Sequence, residues 1–459
     1  MPTHHTLVSS KRRRELPAEG VPALTRRLLL LSALVIAGCS TPVGVQRVDP
    51  QAVHRRLTGN VLSNGKLSQA TTNVLYRRDL LDQFDDQPER ALANLHTEVV
   101  AERENRDDIF ALAELSFYHG QHSGKRSYFL ATALYAWAFL FPEAGHRPPS
   151  PFDPRFRQAV DLYNRGLSEG LATGGSGAIE LAGSTRELPW GSSDIDFAPA
   201  SLVWGNRRLT RFSSVADVDV RGLPTRYRAP GLGASLAAQT EPLDSRRGYD
   251  DFVLPWAEVT ATAVLRFERP RWQLGRTHLH ASLELRTTDR ATTIDVDGNQ
   301  VPIEVETTGS LAQTLGEAPI WQQEISGFLE DTGVIDQASR LAALTPYRAG
   351  RVPVIFVHGT ASSAGRWAQA MNELMNDPRL SDRISFWLFS YNTGNPILYS
   401  ASLLRDALTA AVARLDPDGR DPALRAMVVI GHSQGGLLTR LTAVDSGDAF
   451  WRKLSRMPF

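Results

Sequence analysis

Met427–Gly436, MVVIGHSQGG, is the stretch whose reading decides the fold of the C-terminal part of this chain. Four apolar residues, Met427 to Ile430, run straight into Gly431-His432-Ser433-Gln434-Gly435, with Gly436 behind. The apolar run predicts a short strand buried on both faces. Leu437, Leu438, Leu441 and Val444 follow at helical spacing, so the expected order is strand, tight turn, helix. In G-x-S-x-G that turn is strained, and the flanking glycines leave room for the neighbouring strand and helix. The Ser433 hydroxyl is expected at its tip, facing the first amides of the helix.

A second stretch supports this reading. In Val352–Thr360, VPVIFVHGT, residues Val354 to Val357 predict another doubly buried strand, ending in His358-Gly359. Between the two, Trp367–Met375 reads as helix, Ile384–Tyr391 as strand and Pro396–Leu415 as a long helix. Leu398, Leu403, Leu404, Leu408, Val412 and Leu415 are expected on the apolar side of that long helix. Strands alternating with helices imply a parallel sheet.

From about Arg351 onward the chain resembles the α/β-hydrolase superfamily, and within it the lipase-like and esterase-like bacterial enzymes. The resemblance implies an α/β-hydrolase domain (a partial parallel sheet) over 346–459, with Ser433 as nucleophile. It also implies oxyanion donors in the amides of Gln434 and Thr360, on the loop opened by His358 and Gly359. Gly431, His432, Gly435 and Gly436 complete the elbow. Tyr391, Thr393 and Trp367 are candidate pocket residues. The family places its acid and then its histidine after the serine, and here no histidine follows His432. His432 should point away from the reaction, His358 should line the oxyanion loop, and Asp445 and Asp448 lie too close to the elbow helix to be assigned. Two explanations are open: a protein that lost its base, or a truncated record of a longer enzyme. Sheet physics favours truncation, because an elbow strand at an uncovered apolar edge is an aggregation hazard.

Upstream, the chain divides by composition. Lys11-Arg-Arg-Arg14 and Arg26-Arg27 precede an apolar core, Leu28–Ala37, ending in Ile36-Ala37-Gly38-Cys39. Residues 1–39 therefore read as a signal peptide, and the end resembles a bacterial lipobox. That implies lipidation of Cys39 and a lipid-anchored envelope protein; Ser40 after it favours the outer membrane. Cys39 is the only cysteine, so the monomer has no disulfide.

A polar tether is expected over 40–66 and a helical region over 67–173. Asp107-Asp108 and Asp153-Pro154 are candidate helix starts. The paired helices loosely resemble tetratricopeptide repeats, and a plain bundle is the alternative. The helical region also offers a surface for a protein partner. His119 and His122 read as solvent-exposed. Gly174–Ser193 marks a boundary.

A small β-sandwich-like module is expected over 194–310, with strands at Thr260–Phe267, His278–Leu285 and Val301–Thr307 and a hairpin at Asp297-Gly298-Asn299. His278 and His280 share one strand face and lack the further ligands a metal needs. Residues 318–345 read as a helical connector.

Fifty Lys and Arg balance fifty Asp and Glu in 459 residues, so no basic excess points to nucleic acid. The chemistry implied is hydrolysis of an acyl ester at Ser433, with an ester or lipid substrate and no cofactor or metal. A peptidase or thioesterase would use the same elbow. A catalytically inactive binding or scaffold lipoprotein is the other class.

Overall fold

The computed structural model describes residues 43–102, 105–174, 177–243, 252–288, 292–316 and 340–458. Residues up to Arg55 form one unit and Arg56 onward another. In the first, the helix Pro50–Thr58 begins, with Asp49 accepting a hydrogen bond from the Ala52 amide; that helix buries no residue. The signal segment, Cys39 and most of the 318–345 connector lie outside the described residues.

The polar stretch expected as a tether to residue 66 is already folded by Asn60, which caps the short helix Val61–Asn64. The cause is a buried carboxylate. Glu114, fully buried on the helix Arg106–Ser123, accepts hydrogen bonds from the Val61 amide at 3.1 Å and the Ser68 amide at 3.0 Å. Its other oxygen takes the Ser68 hydroxyl at 2.6 Å and the Thr71 hydroxyl at 2.5 Å. A buried carboxylate is tolerated when its oxygens are satisfied in this way.

Helices Gln69–Arg77, Leu81–Asp86, Pro88–Glu102, Arg106–Ser123, Arg126–Leu140 and Pro154–Gly170 follow. Asn105 caps Arg106–Ser123, in place of the expected Asp107-Asp108, which fall in its first turn; Asp153 caps Pro154–Gly170 as its sequence suggests. Every residue from Tyr128 to Leu140 is buried, because this helix lies between its helical neighbours and the sheet that comes next. His119 is also buried, correcting the solvent-exposed reading: its Nε2 meets Glu89 Oε1 at 3.2 Å and its ring lies edge-on to Tyr128. His122 is exposed.

Among the described residues the β-rich part is an eight-stranded sheet with two separate two-stranded pairs, not a sandwich, and it starts earlier than composition indicates. β1 (Ala178–Ile179), β2 (Ser184–Leu188) and β3 (Gly191–Phe197) occupy the stretch read as a boundary. With β4 (Val203–Trp204), β5 (Arg207–Ser214), β7 (Ala234–Pro242), β8 (Glu258–Arg266) and β9 (His278–Thr287) they pair in the order β1-β5-β7-β8-β9-β3-β2, with β4 on β5. Only the β3–β9 pairing is parallel. The helices supply the second layer: Tyr163 hydrogen-bonds both the carbonyl and the amide of Leu265, and Trp137 donates its indole N–H to the Phe267 carbonyl. Helices and sheet thus share one core, which a free-standing bundle or sandwich would not need.

β6 (Arg228–Ala229) pairs with β12 (Val305–Glu306), and β10 (Thr293–Val296) with β11 (Asn299–Pro302). Asp297 and Gly298 both take positive φ, 51° and 80°, as the two central residues of a type I′ hairpin must. The expected strand Val301–Thr307 is split between β11 and β12, and Thr307 already starts the helix Thr307–Gly316.

A second sheet has the order β13-β15-β14-β16, from β13 (Arg340–Ala343), β14 (Val352–Val357), β15 (Ile384–Ser390) and β16 (Val428–Gly431). β14 is parallel to both neighbours, whereas β13 is antiparallel to β15. The sheet is therefore mixed. Leu341, expected in a helical connector, lies in β13, and Val253 bridges to Ala343 beyond it. One face packs with the helix Ala368–Met375 and with Val253, Leu254, Leu311 and Leu315; the other packs against the helices Ile397–Leu415 and Gln434–Ala443.

Among the described residues no strand pairs with the outer side of β16, and where the sequence predicts double burial of Met427–Ile430, Val428 is 46 % exposed and Ile430 half-buried. Leu398, Leu437 and Val444 are exposed as well, while Leu404 and Leu438 are fully buried. Among the described residues no helix is long and apolar enough to cross a membrane.

Candidate active site

Ser433 sits between β16 and the helix Gln434–Ala443 with φ 55° and ψ −122°. A serine at positive φ is strained, and the strain is sustained by close packing that only glycines permit. A Cβ on Gly431 would come 2.2 Å from the Gly435 carbonyl oxygen, and one on Gly435 would come 2.4 Å from the Val357 carbonyl oxygen. Gly436 is looser, with its nearest contact at 3.4 Å. The amides of Gly435 and Gly436 bond back to the carbonyls of His432 and Ser433, closing the turn. Ser433 is exposed, as is His432. The helix that starts here has no acidic residue in its first turn, so its positive end is left for an incoming negative charge.

The loop after β14 stands directly beside this turn. The His432 amide donates to the Val357 carbonyl at 3.1 Å. A Cβ on Gly359 would lie 2.9 Å from Ser433 Cβ and 3.1 Å from His432 Nδ1. Thr360 follows and is exposed; neither its amide nor that of Gln434 donates to any described residue. The two segments are tied by the side chain of Gln434, a residue the sequence reading used only for its amide. Gln434 Oε1 accepts from the Thr360 hydroxyl at 2.8 Å, and Gln434 Nε2 donates to the Thr393 carbonyl at 3.3 Å. The Thr393 hydroxyl in turn takes the Ala361 amide at 3.4 Å, where Ala361 is held at φ 46°.

His358 is buried, with both ring nitrogens committed. Nδ1 lies 3.0 Å from the Gly359 carbonyl oxygen, and Nε2 accepts the Tyr391 amide at 3.3 Å. Its ring stacks on Tyr391, whose hydroxyl donates to the His358 carbonyl at 2.9 Å. Burial holds the Tyr391 phenol well above its ordinary value, so it remains a neutral donor. This pair supports the loop from beneath. Trp367 packs at a tilt against Phe356, with ring centroids 4.9 Å apart, so it belongs with the sheet packing.

A family comparison bears on this arrangement: the family described as "Alpha/beta hydrolase family" matches residues 354–452, from β14 through the elbow to the short helix Trp451–Leu454. Residues 354–452 belong to the alpha/beta hydrolase family. No curated protein and no solved structure matches the chain. In this hydrolase segment, no described residue hydrogen-bonds the Ser433 hydroxyl. Asp445 accepts the Gly447 amide and Asp448 pairs with Arg452, both at the surface. His278 and His280 lie on β9 of the other sheet, exposed, with His278 bonded to Ser192. Sequence spacing exposes the serine and its glycines. The Gln434 clamp escapes it because Thr360 and Thr393 are 74 and 41 residues away.

Proposed function

We propose that the chain is a serine hydrolase of carboxylic esters, anchored to the bacterial envelope through a lipidated Cys39. The observation that carries the first half is the exposed Ser433 at positive φ, packed against Gly359 with two uncommitted amides beside it. In this reading Ser433 Oγ attacks the ester carbonyl. The negative oxygen that forms is met by the Gln434 and Thr360 N–H groups, one such donor being worth about 3 kcal/mol. Collapse expels the alcohol and leaves an acyl-serine, which water then cleaves. The proton leaving Ser433 needs a base, and His358 is unsuited, because its Nε2 accepts a backbone amide. An ester or lipid substrate fits the lipase-like resemblance and the proposed anchor.

A panel of chromogenic esters, thioesters and peptide anilides tests the reaction class. Ester turnover abolished by Ser433→Ala supports the proposal; exclusive turnover of thioesters or peptides assigns the same serine to a thioesterase or peptidase. A second reading, an inactive hydrolase-like binding or scaffold lipoprotein, predicts no turnover of any of the three. The anchor rests on the lipobox-like Ile36-Ala37-Gly38-Cys39. Metabolic incorporation of an alkyne fatty acid, lost in Cys39→Ser together with membrane association, is the expected result. A soluble, unlabelled protein would remove the anchor.

A further inference from the structure

The eight-stranded sheet carries a cleft far in sequence from Ser433 that no part of the proposed hydrolysis uses. Two hollows, of about 490 and 900 Å³, share Arg266, Glu268, Arg269 and Ser282 and so adjoin one another. At the smaller end, Trp272 is 38 % exposed and carries two guanidinium groups over its ring, Arg269 at 4.8 Å and Arg276 at 4.2 Å from the centroid. Neither makes an ion pair with a described residue. Holding two like charges on one indole costs electrostatic energy that a nearby anion offsets. Stacked guanidiniums also present their N–H edges outward, in the geometry that suits a phosphate. Arg269 itself is held at φ 44°, a strained position for a non-glycine residue.

The larger end differs in character. Its walls include Trp137, Phe141, Phe267 and Val296. Among them are two buried polar atoms without a partner among the described residues, Glu143 Oε2 and His146 Nδ1. Glu143 is fixed in place, since its other oxygen takes the Trp272 amide at 2.7 Å. Both atoms are closed off from the cleft, so they offer a ligand no contact. Asp196 and Glu268 line the cationic end as well and would repel a polyanion, which restricts the ligand to a single anionic group.

We propose that this cleft binds a single-chain phosphate amphiphile of the lysophospholipid class. Its phosphate lies on Arg269 and Arg276 and its acyl chain along the larger end, beside the half-buried Phe141. The site is a binding site separate from Ser433, and it stands whether or not Ser433 is catalytic. The full chain carrying Ser433→Ala, which cannot consume an ester ligand through that residue, is titrated calorimetrically with lysophosphatidylglycerol below its micelle concentration. Parallel titrations use glycerol 3-phosphate, inorganic phosphate and uncharged monoacylglycerol. Saturable one-site binding of the lysophospholipid is expected, at least tenfold tighter than any of the other three. Adding R269A/R276A should weaken it tenfold or more, and Phe141→Ala should weaken it while leaving the glycerol 3-phosphate titration unchanged; unaltered thermal melting checks the fold of each variant. No saturable binding, equal affinity in R269A/R276A, or inorganic phosphate binding as tightly as the lipid would each overturn the proposal.

Discussion

A methyl group at position 359 would sit 2.9 Å from Ser433 Cβ and 3.0 Å from the His432 carbonyl oxygen, so at residue scale the elbow and its facing loop form one packed object. Gly359→Ala must therefore push the loop away from the serine. Ester turnover should fall at least a hundredfold, and because Gly359 is buried the melting temperature should fall as well. Gln434→Leu removes both ends of the clamp on Thr360 and Thr393 and should lower kcat with little change in KM; equal loss in Thr360→Val would trace the effect to the same hydrogen bond. A different residue bears on acid stability. His96, packed on Trp190 at 4.2 Å and bonded to the Tyr135 hydroxyl at 2.8 Å, is pushed by burial from 6.5 down to about 4. Between those values the unfolded chain binds the proton and the folded chain does not, so stability falls as pH drops from about 6.5 toward 4. The loss is on the order of 2 kcal/mol after allowing for partial exposure. His96→Gln should flatten the fall in melting temperature over that window relative to the parent protein; an unchanged profile would remove His96 as the cause.

At the scale of elements, what was legible in the sequence was local. The elbow, the strand before His358-Gly359, the helix from Ile397 and the Asp297-Gly298 hairpin each rest on patterns within about a dozen residues, and each is where the patterns place it. The Asn60–Ser68 segment was illegible because Glu114, which folds it, is 46 residues from Ser68. Likewise the parallel pairing of β3 with β9 joins Ser192 to His278, and no local signal announces it. The strand Val428–Gly431 looked doubly buried because apolar composition reports preference, whereas exposure depends on pairing, and no described strand pairs with its outer side. Glu114→Ala tests the first of these cases. It strands two backbone amides and two hydroxyls in a dry site and should cost about 3 kcal/mol. Hydrogen exchange of residues 61–71 should accelerate well beyond that of the helix Arg126–Leu140; uniform acceleration would mean the segment is not held by Glu114.

At the scale of the whole folded unit from Arg56 onward, the hydrolase sheet covers one face with its own helices but relies on upstream residues to complete the other. Val253, Leu254, Leu311 and Leu315 complete one of its faces, and the Leu254 amide extends the sheet by bonding to the Ala343 carbonyl at 3.0 Å. The Thr308 hydroxyl reaches Asn372 at 2.8 Å, the Thr307 hydroxyl reaches Asn376 at 2.7 Å, and Tyr227 donates to Glu373. Residues 346–459 expressed alone should be insoluble or molten, with no sharp thermal transition, since they expose the surface that those residues cover. A cooperative melt of that fragment would show that the hydrolase sheet folds independently.

The central claim is that Ser433 is poised to attack a carbonyl. Its most direct test is mass-spectrometric mapping of a fluorophosphonate adduct on the protein expressed from its own gene. One adduct on Ser433, lost in Ser433→Ala, is the result predicted; an unmodified Ser433 under conditions that label a control esterase would contradict it.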